Sequence, residues 1–318
     1  MEPEITLSEL TDDQVPAVTA LCAEALDLAD DAAEAGAILA TLRVRAAADR
    51  PVVGFVAWRG GPGGRHGGDG GTPVGVVIGS MSQREPGRGH VDLLAVAPDS
   101  RRKGIGRSLL ARVEEALAGL GATEVVLAGN PPHYAWPGID VRYTPAVCAA
   151  LALGYHQHNT AWNMTADLSY PGSPALRSTA AAESRLAGQG VVVRRAEPTD
   201  LPALTRFARE TFGGSWDGEL ANSVGRPDAG CHLALRDGEI IGFAAYGSSR
   251  PSWFGPMGTA PSAEGSGIGG VLLRRCLADQ RAGGHDRAQI GWVGPVPFYS
   301  GSAGARIERV FFLYRKAL

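Results

Sequence analysis

The sequence predicts an α/β fold built twice along the chain, and three observations predict it. Residues 90–120 read as a short apolar strand, a basic glycine turn and a helix. The same plan returns in the C-terminal half, where residues 260–273 align without a gap on residues 97–110. Between the copies, residues 169–190 are rich in Pro, Ser, Ala and Gly, the composition of a linker. The expected organisation is a first domain over 1–168, a linker over 169–190 and a second domain over 191–318.

Each element has a local reason. Ile5-Thr6-Leu7 is a first strand, and Thr11 is an N-cap for a helix whose apolar stripe is Val18, Leu21, Cys22 and Ala25. An acidic stretch over 27–34 precedes a second helix, expected to end near Ala48. Residues 52–58 and 74–80 form a hairpin around the glycine-rich loop 60–71, which has low complexity, precedes no helix and is expected to be mobile. Residues 91–96 are the apolar strand. Leu109, Leu110, Val113, Leu117 and Leu120 recur at helical spacing, and Gly121 ends the helix. A strand over 124–128 is broken by Asn130-Pro131-Pro132. A helix over 145–153 ends at Gly154, and a strand covers 160–168. In the second half Val192-Val193-Arg194-Arg195 is a strand and residues 201–205 echo 15–19. Residues 232–235 and 240–246 flank Asp237-Gly238, a hairpin turn.

Composition excludes several classes of function. A chain of 318 residues can bury two cores. Its net charge of -3, with no basic block, does not favour nucleic acid. No apolar run reaches the length of a membrane span. The acidic N-terminus does not read as a signal peptide. The four cysteines have neither metal nor redox spacing, so reduced thiols in the cytoplasm are expected. The seven histidines show no zinc pattern, and no metal site is expected.

The basic turn carries the chemistry. A helix N-terminus exposes unpaired N–H groups and partial positive charge, and glycines let a ligand approach the backbone. Arg101, Arg102, Lys103 and Arg107 add full charges around Gly104, Ile105 and Gly106, which suits a pyrophosphate. A dinucleotide fingerprint requires a third glycine where Leu109 stands, and a P-loop requires a Gly-Lys-Ser/Thr ending that is missing. What remains is Arg101-x-x-Gly104-x-Gly106, behind the strand Leu94-Ala95-Val96 and ahead of a leucine-rich helix. It resembles the Gln/Arg-x-x-Gly-x-Gly/Ala acetyl-coenzyme A motif of the GCN5-related N-acetyltransferases, the GNAT family. With the second copy included, the chain resembles a tandem pair of such domains over nearly its whole length.

The resemblance implies two acyl-CoA N-acyltransferase folds, each a mixed, mainly antiparallel sheet flanked by helices. It implies acetyl-CoA as the cofactor and direct attack by a primary amine in a ternary complex. It assigns Leu94, Ala95 and Val96 to the pantetheine arm. The basic turn, Arg101 to Arg107, takes the pyrophosphate, and Asn130 matches a cofactor-contacting asparagine. In the second copy Met257 and Thr259 would line the pantetheine, and Gly265, Gly267 and Gly269 would offer N–H groups. Glu264 stands there in place of Arg101 and would repel phosphate.

His90 falls where many family members carry a base glutamate, and Asp92 follows two residues on. A histidine titrates near neutrality and suits the role, whereas Asp92 is open to hydrogen-bonding a loop instead. The family's acid tyrosine is replaced by Ala150, with Tyr134 and Tyr143 as substitutes. The second copy carries Trp253 and Gly255 in the two base positions, but its Phe298-Tyr299 resembles the acid motif. The catalytic candidates are therefore His90, Asp92 and Tyr299. The acidic residues Asp27, Asp30, Asp31 and Glu34, with Asp217 and Glu219 in the second copy, favour a small cationic amine as acceptor over RNA. The expected assembly is a monomer or homodimer without nucleic-acid or membrane partners. The rival reading is a non-catalytic CoA-binding sensor or scaffold. An aminoacyl-tRNA-dependent transferase is a third, opposed by the basic turn and the acidic net charge.

Overall fold

The computed structural model describes residues 4–44, 50–60, 71–214 and 216–318. Residues 61–70 of the glycine loop and the expected helix end at 45–48 lie outside the described residues. The chain divides into two compact units, Met1–Ala161 with Phe311–Leu318, and Trp162–Val310.

The first unit begins with β1 (Ile5–Glu9), α1 (Val15–Ala25), α2 (Ala29–Ala33) and α3 (Ala35–Leu42). The long hairpin of β2 (Val52–Arg59) and β3 (Thr72–Met81) follows, then β4 (Arg88–Val96), α4 (Ile105–Gly119) and β5 (Glu124–Leu127). After these come β6 (Ile139–Asp140), α5 (Thr144–Ala152) and the start of β7 (His156–Asp167). The strands lie in the order β1-β2-β3-β4-β5, antiparallel except for the parallel pair β4 and β5. Leu109, Leu110, Val113 and Leu117 form the buried stripe of α4, as their spacing predicts, and Ile105 joins it, whereas Leu120 is the C-cap and is exposed. Burying a leucine fully contributes roughly 1.5–3 kcal/mol, and Leu109 and Leu117 are wholly buried. Two β3 glycines let α4 come close. A Cβ on Gly75 would stand 2.9 Å from Leu109, and one on Gly79 would stand 2.7 Å from Val113.

The second unit contains α6 (Ala180–Ala187), β8 (Val191–Arg195), α7 (Leu201–Phe212), α8 (Trp216–Ala221), β9 (Gly230–Arg236) and β10 (Glu239–Tyr246). It continues with β11 (Trp253–Thr259), α9 (Ile268–Ala282), β12 (Arg287–Ile290), α10 (Val296–Ala303) and the start of β13 (Arg306–Ala317). Its strand order is β8-β9-β10-β11-β12, again antiparallel except for β11 with β12. The Asp237-Gly238 hairpin forms as predicted, with both residues at positive φ (52° and 82°). Each unit is thus a mixed, mainly antiparallel sheet flanked by helices.

The unit boundaries differ from the expected 168 and 191, and strand pairing is the reason. The last residues of β13 complete the first unit: Arg315–Ala317 pair with β5, and Phe311 and Phe312 pair with β6. Phe311, Leu313 and Tyr314 lie in that unit's core. The last residues of β7 complete the second unit, where Met164–Asp167 pair with β12. Residues 169–190 also belong to the second unit. They hold a 3-10 turn at Pro174–Leu176 and helix α6, and Ala175 and Leu186 are part of its core. Among the described residues no helix is long and apolar enough to cross a membrane.

Candidate active site

In the first unit the pairing of β4 with β5 stops at Val91 and Leu127, closed by the Ala128 N–H donating to Val91 O at 2.8 Å. β4 itself runs on to Val96. The strands therefore part, and a cavity of about 150 Å³ opens between them, lined among others by Asp92, Leu94, Trp136, Asp140, Tyr143 and Ala150. Asp92 is the extra residue of a β-bulge: Gly79 pairs with Val91, but the next residue of β3, Ile78, pairs with Leu93. Bulges of this kind re-aim side chains beside active sites.

Behind the cleft stands a buried polar cluster. Asp92 Oδ2 accepts a hydrogen bond from Ser80 Oγ at 2.5 Å and lies 3.6 Å from Arg50 Nη2. Its Oδ1 is buried without a partner. Burial pushes the Asp92 carboxyl up to about 7, against the pull of Arg50 and of the Ser80 hydrogen bond. The residues 90 and 92 are both buried, but they are not equivalent. His90 Nδ1 lies 2.8 Å from Ala128 O. A carbonyl only accepts, so Nδ1 carries the proton and Nε2 the lone pair. Burial pushes His90 down to about 4. Burial thus makes His90 a weaker base than its ordinary pKa near ~6.5 implies, and the group poised near neutrality is Asp92.

Three members of this cluster carry no signal in the sequence. Arg50, Ser80 and His133 come from separate segments; the fold brings Ser80 and Arg50 beside Asp92 and the His133 carbonyl onto Arg50. Asn130 also lies here rather than in the open cleft; its amide donates to Ser80 Oγ at 2.8 Å and Met81 O at 3.2 Å. Of the substitute tyrosines, Tyr143 lines the cleft and donates to Asp31 at 3.0 Å, whereas Tyr134 is buried outside its lining. The acidic run is largely engaged: Asp31 is fully buried, and Asp27 pairs with Arg101 at 3.0 Å.

The glycine turn has the same backbone in both units. Gly104 and Gly267 precede their helices at φ 84° and 90°, and Arg102 and Gly265 are left-handed at 65° and 74°. Its side chains differ. In the first unit a Cβ on Gly104 would meet nothing within 4 Å, and Arg102, Lys103 and Arg107 are exposed. Arg101 does not face outward with them. It donates to Val96 O at 3.2 Å and Ala25 O at 2.8 Å and pairs with Asp27, so it braces the turn against α1. Ile105 is buried beneath the helix, and Gly106 lies near Val96 and Leu94.

In the second unit side chains stand over Gly267 and Gly269, whereas a Cβ on Gly265 would meet nothing within 4 Å. A Cβ on Gly267 would stand 3.0 Å from Arg185 Nη2. One on Gly269 would stand 3.3 Å from the Phe298 ring and 3.6 Å from Met257 Cε. Glu264 is exposed beside Gly265. β11 also outruns β12, pairing with it only at Trp253 and Phe254 and continuing to Thr259. Tyr299 is buried against Phe254 and Phe298, at ring separations of 6.1 and 5.0 Å, and burial pushes its phenol pKa upward.

Comparison with known proteins adds the following. The profile of the Acetyltransferase (GNAT) family matches twice, over residues 43–135 and 199–294. A mycothiol acetyltransferase of Geodermatophilus obscurus is 30% identical over 275 residues, which is 79% of this chain and 83% of that protein. Among solved structures, the GCN5-related glucosamine N-acetyltransferase region of a fungal multi-domain GH3 β-N-acetylglucosaminidase has a TM-score of 0.73 at 17% identity. That match covers 99% of this chain but 38% of the fungal one. A tandem GNAT protein from the clavulanic acid biosynthesis pathway has a TM-score of 0.65 at 17% identity and matches 99% and 98% of the two chains. At such identities the structures show the shared fold.

Proposed function

Because the chain belongs to the Acetyltransferase (GNAT) family and is an N-acetyltransferase, we propose that its first unit acetylates the primary amine of a small molecule, using acetyl-CoA and Asp92 as proton acceptor. The observation that carries this reading is Asp92 itself: a carboxyl lining the cleft where β4 and β5 part, with one buried oxygen unpartnered and a pKa raised to about 7. A group poised near working pH is what proton transfer requires.

The turn of the first unit suits a pyrophosphate. Gly104 is open, α4 presents its N-terminus, and Arg102, Lys103 and Arg107 supply charge. Leu94 and Val96 lie beside Gly106, where a pantetheine arm would continue into the cleft. Acetyl-CoA held there supplies an activated acetyl thioester. The unpaired edge of β4 beyond Val91 offers backbone N–H groups towards its carbonyl. A lysine-like amine has a pKa of ~10.4 and arrives protonated. Asp92 Oδ1 takes that proton, directly or through one water. Tyr143 also lines the cleft, with its hydroxyl donating to Asp31 at 3.0 Å. Among the described residues no Ser or Cys lines it, which supports direct attack in a ternary complex over an acyl-enzyme. The Asp92 carboxylate also favours a cationic acceptor.

For the second unit we propose a non-catalytic role. Arg185 stands over Gly267, Phe298 and Met257 stand over Gly269, and Glu264 opposes phosphate there.

The test is acetyl transfer to a panel of primary amines, headed by mycothiol-related acceptors because of the relative's name. With a turned-over acceptor, kcat/KM of the parent should rise with pH and level off above about 7. Asp92→Asn should lower it by about a hundredfold or more while acetyl-CoA affinity stays. A mutant with the parent's rate and pH profile would remove Asp92 from the mechanism.

A further inference from the structure

Arg50 is among the most deeply buried charges in the chain, 1% exposed, yet it precedes β2 and lies outside the cleft lining. Its Nη1 donates to Val44 O at 2.7 Å and Leu42 O at 3.3 Å, and its Nη2 donates to His133 O at 3.3 Å and Ser80 Oγ at 3.0 Å. Asn130 Nδ2 also donates to Ser80 Oγ, at 2.8 Å. A hydroxyl oxygen has two lone pairs and one hydrogen. With both lone pairs occupied, the Ser80 hydrogen goes to Asp92 Oδ2, which lies 2.5 Å away. That leaves Oδ1 as the oxygen free for the cleft.

We propose that Arg50 is a positioning residue of this site: through Ser80 and through its own charge it fixes which Asp92 oxygen faces the acceptor and sets the pH range in which Asp92 is ionised. The proposal rests on the reading of Asp92 as proton acceptor. The groups facing Asp92 are few. His90 on its own strand and His133 in the segment after β5 are each pushed down to about 4 by burial, so both are neutral at working pH. Asn130 is uncharged. Across the cleft, Asp140 is bridged to Arg142 at 2.8 Å, and Tyr143 donates to Asp31. Among the described residues, Arg50 is therefore the cation paired with the Asp92 carboxyl, at 3.6 Å. An arginine stays protonated in a protein and gives this site a fixed positive charge.

The experiment follows the Asp92 carboxyl directly. Full-length protein is labelled with ¹³C in aspartate side chains, and Asp92→Asn identifies the Asp92 signal. Arg50→Gln should raise the Asp92 titration midpoint by about one pH unit or more, a tenfold gain in proton affinity. Arg50→Lys keeps a cation and should stay closer to the parent. An unmoved midpoint in Arg50→Gln overturns the proposal. Should Arg50→Gln fail to fold, Ser80→Ala decides by the same signal: an upward shift supports the relay, and none overturns it. The acid limb of kcat/KM should move with the midpoint, so that Arg50→Gln loses rate at pH 7 and recovers it at higher pH. A purely structural role would lower the rate at every pH. A moved midpoint with an unmoved rate profile would keep Arg50 in this role and remove Asp92 as proton acceptor, so the two readings fail separately.

Discussion

Asp92 and His90 stand two residues apart on one strand and titrate in opposite senses, because burial disfavours whichever form carries charge. The stability consequences are opposite too. His90 is lowered from about 6.5 to about 4, so its contribution is present above 6.5 and is lost as pH falls through 4. Asp92 is raised from about 3.8 to about 7, so its contribution is present below 3.8 and is lost as pH rises through 7. The two slopes oppose each other between pH 4 and 6.5, and single mutants should expose them. His90→Asn should remove a loss on acidification of up to about 3 kcal/mol, and Asp92→Asn should remove a loss on alkalinisation of similar order. Urea melts at pH 5 and pH 7.5 measure both, and parallel pH slopes in parent and mutants would contradict these assignments. At this scale the sequence was only half legible. His90 and Asp92 were visible as a pair on the motif strand, but their order of merit depends on burial, which spacing does not reveal. Arg50, Ser80 and His133 were invisible, because Arg50 meets partners 30 and 83 residues away and nothing local marks them.

At the level of elements, the strand, turn and helix over 88–119 were legible in kind and order, because their determinants are local, but not the strand start at Arg88 or the bulge at Asp92. Apolar runs, a left-handed glycine and a leucine stripe each act within a few residues. The same local rules made the second copy legible: both motif helices are 15 residues long and start on a left-handed glycine. Which strand lies beside β5 was not legible. β7 and β13 are both 12-residue strands, and the choice between them is made by long-range pairing. The structure gives the C-terminal end of β13 to the first unit, and this predicts how that unit responds to truncation. A chain ending at Val310 would lose Phe311, Leu313 and Tyr314 from the core and uncover the β5 edge. Each buried side chain contributes roughly 1.5–3 kcal/mol, and the sum is comparable to the whole stability of a domain, roughly 5–15 kcal/mol. Amides 125–127 should then lose hydrogen-exchange protection. Protection equal to that of the full chain would contradict the pairing.

At the scale of the whole molecule, one backbone plan carries two different sets of side chains. The turns superpose in dihedral angles but differ in what stands over the glycines: open space at Gly104, and Arg185, Phe298 and Met257 at Gly267 and Gly269. The sequence showed the charge difference between Arg101 and Glu264. It did not show the covering side chains, since Arg185 comes from α6 and Phe298 from α10. Binding of acetyl-CoA in the first unit is tested, without knowledge of the acceptor, by calorimetry with acetyl-CoA on this chain and two point mutants. Gly104→Asp puts a carboxylate against the pyrophosphate position, in a left-handed conformation that Asp tolerates. Gly267→Asp makes the same change in the second unit, where its Cβ meets the far end of the Arg185 side chain. The expected result is one binding site per parent chain, no binding heat in folded Gly104→Asp, and parent-like binding in Gly267→Asp. Retained binding in Gly104→Asp together with its loss in Gly267→Asp would contradict it.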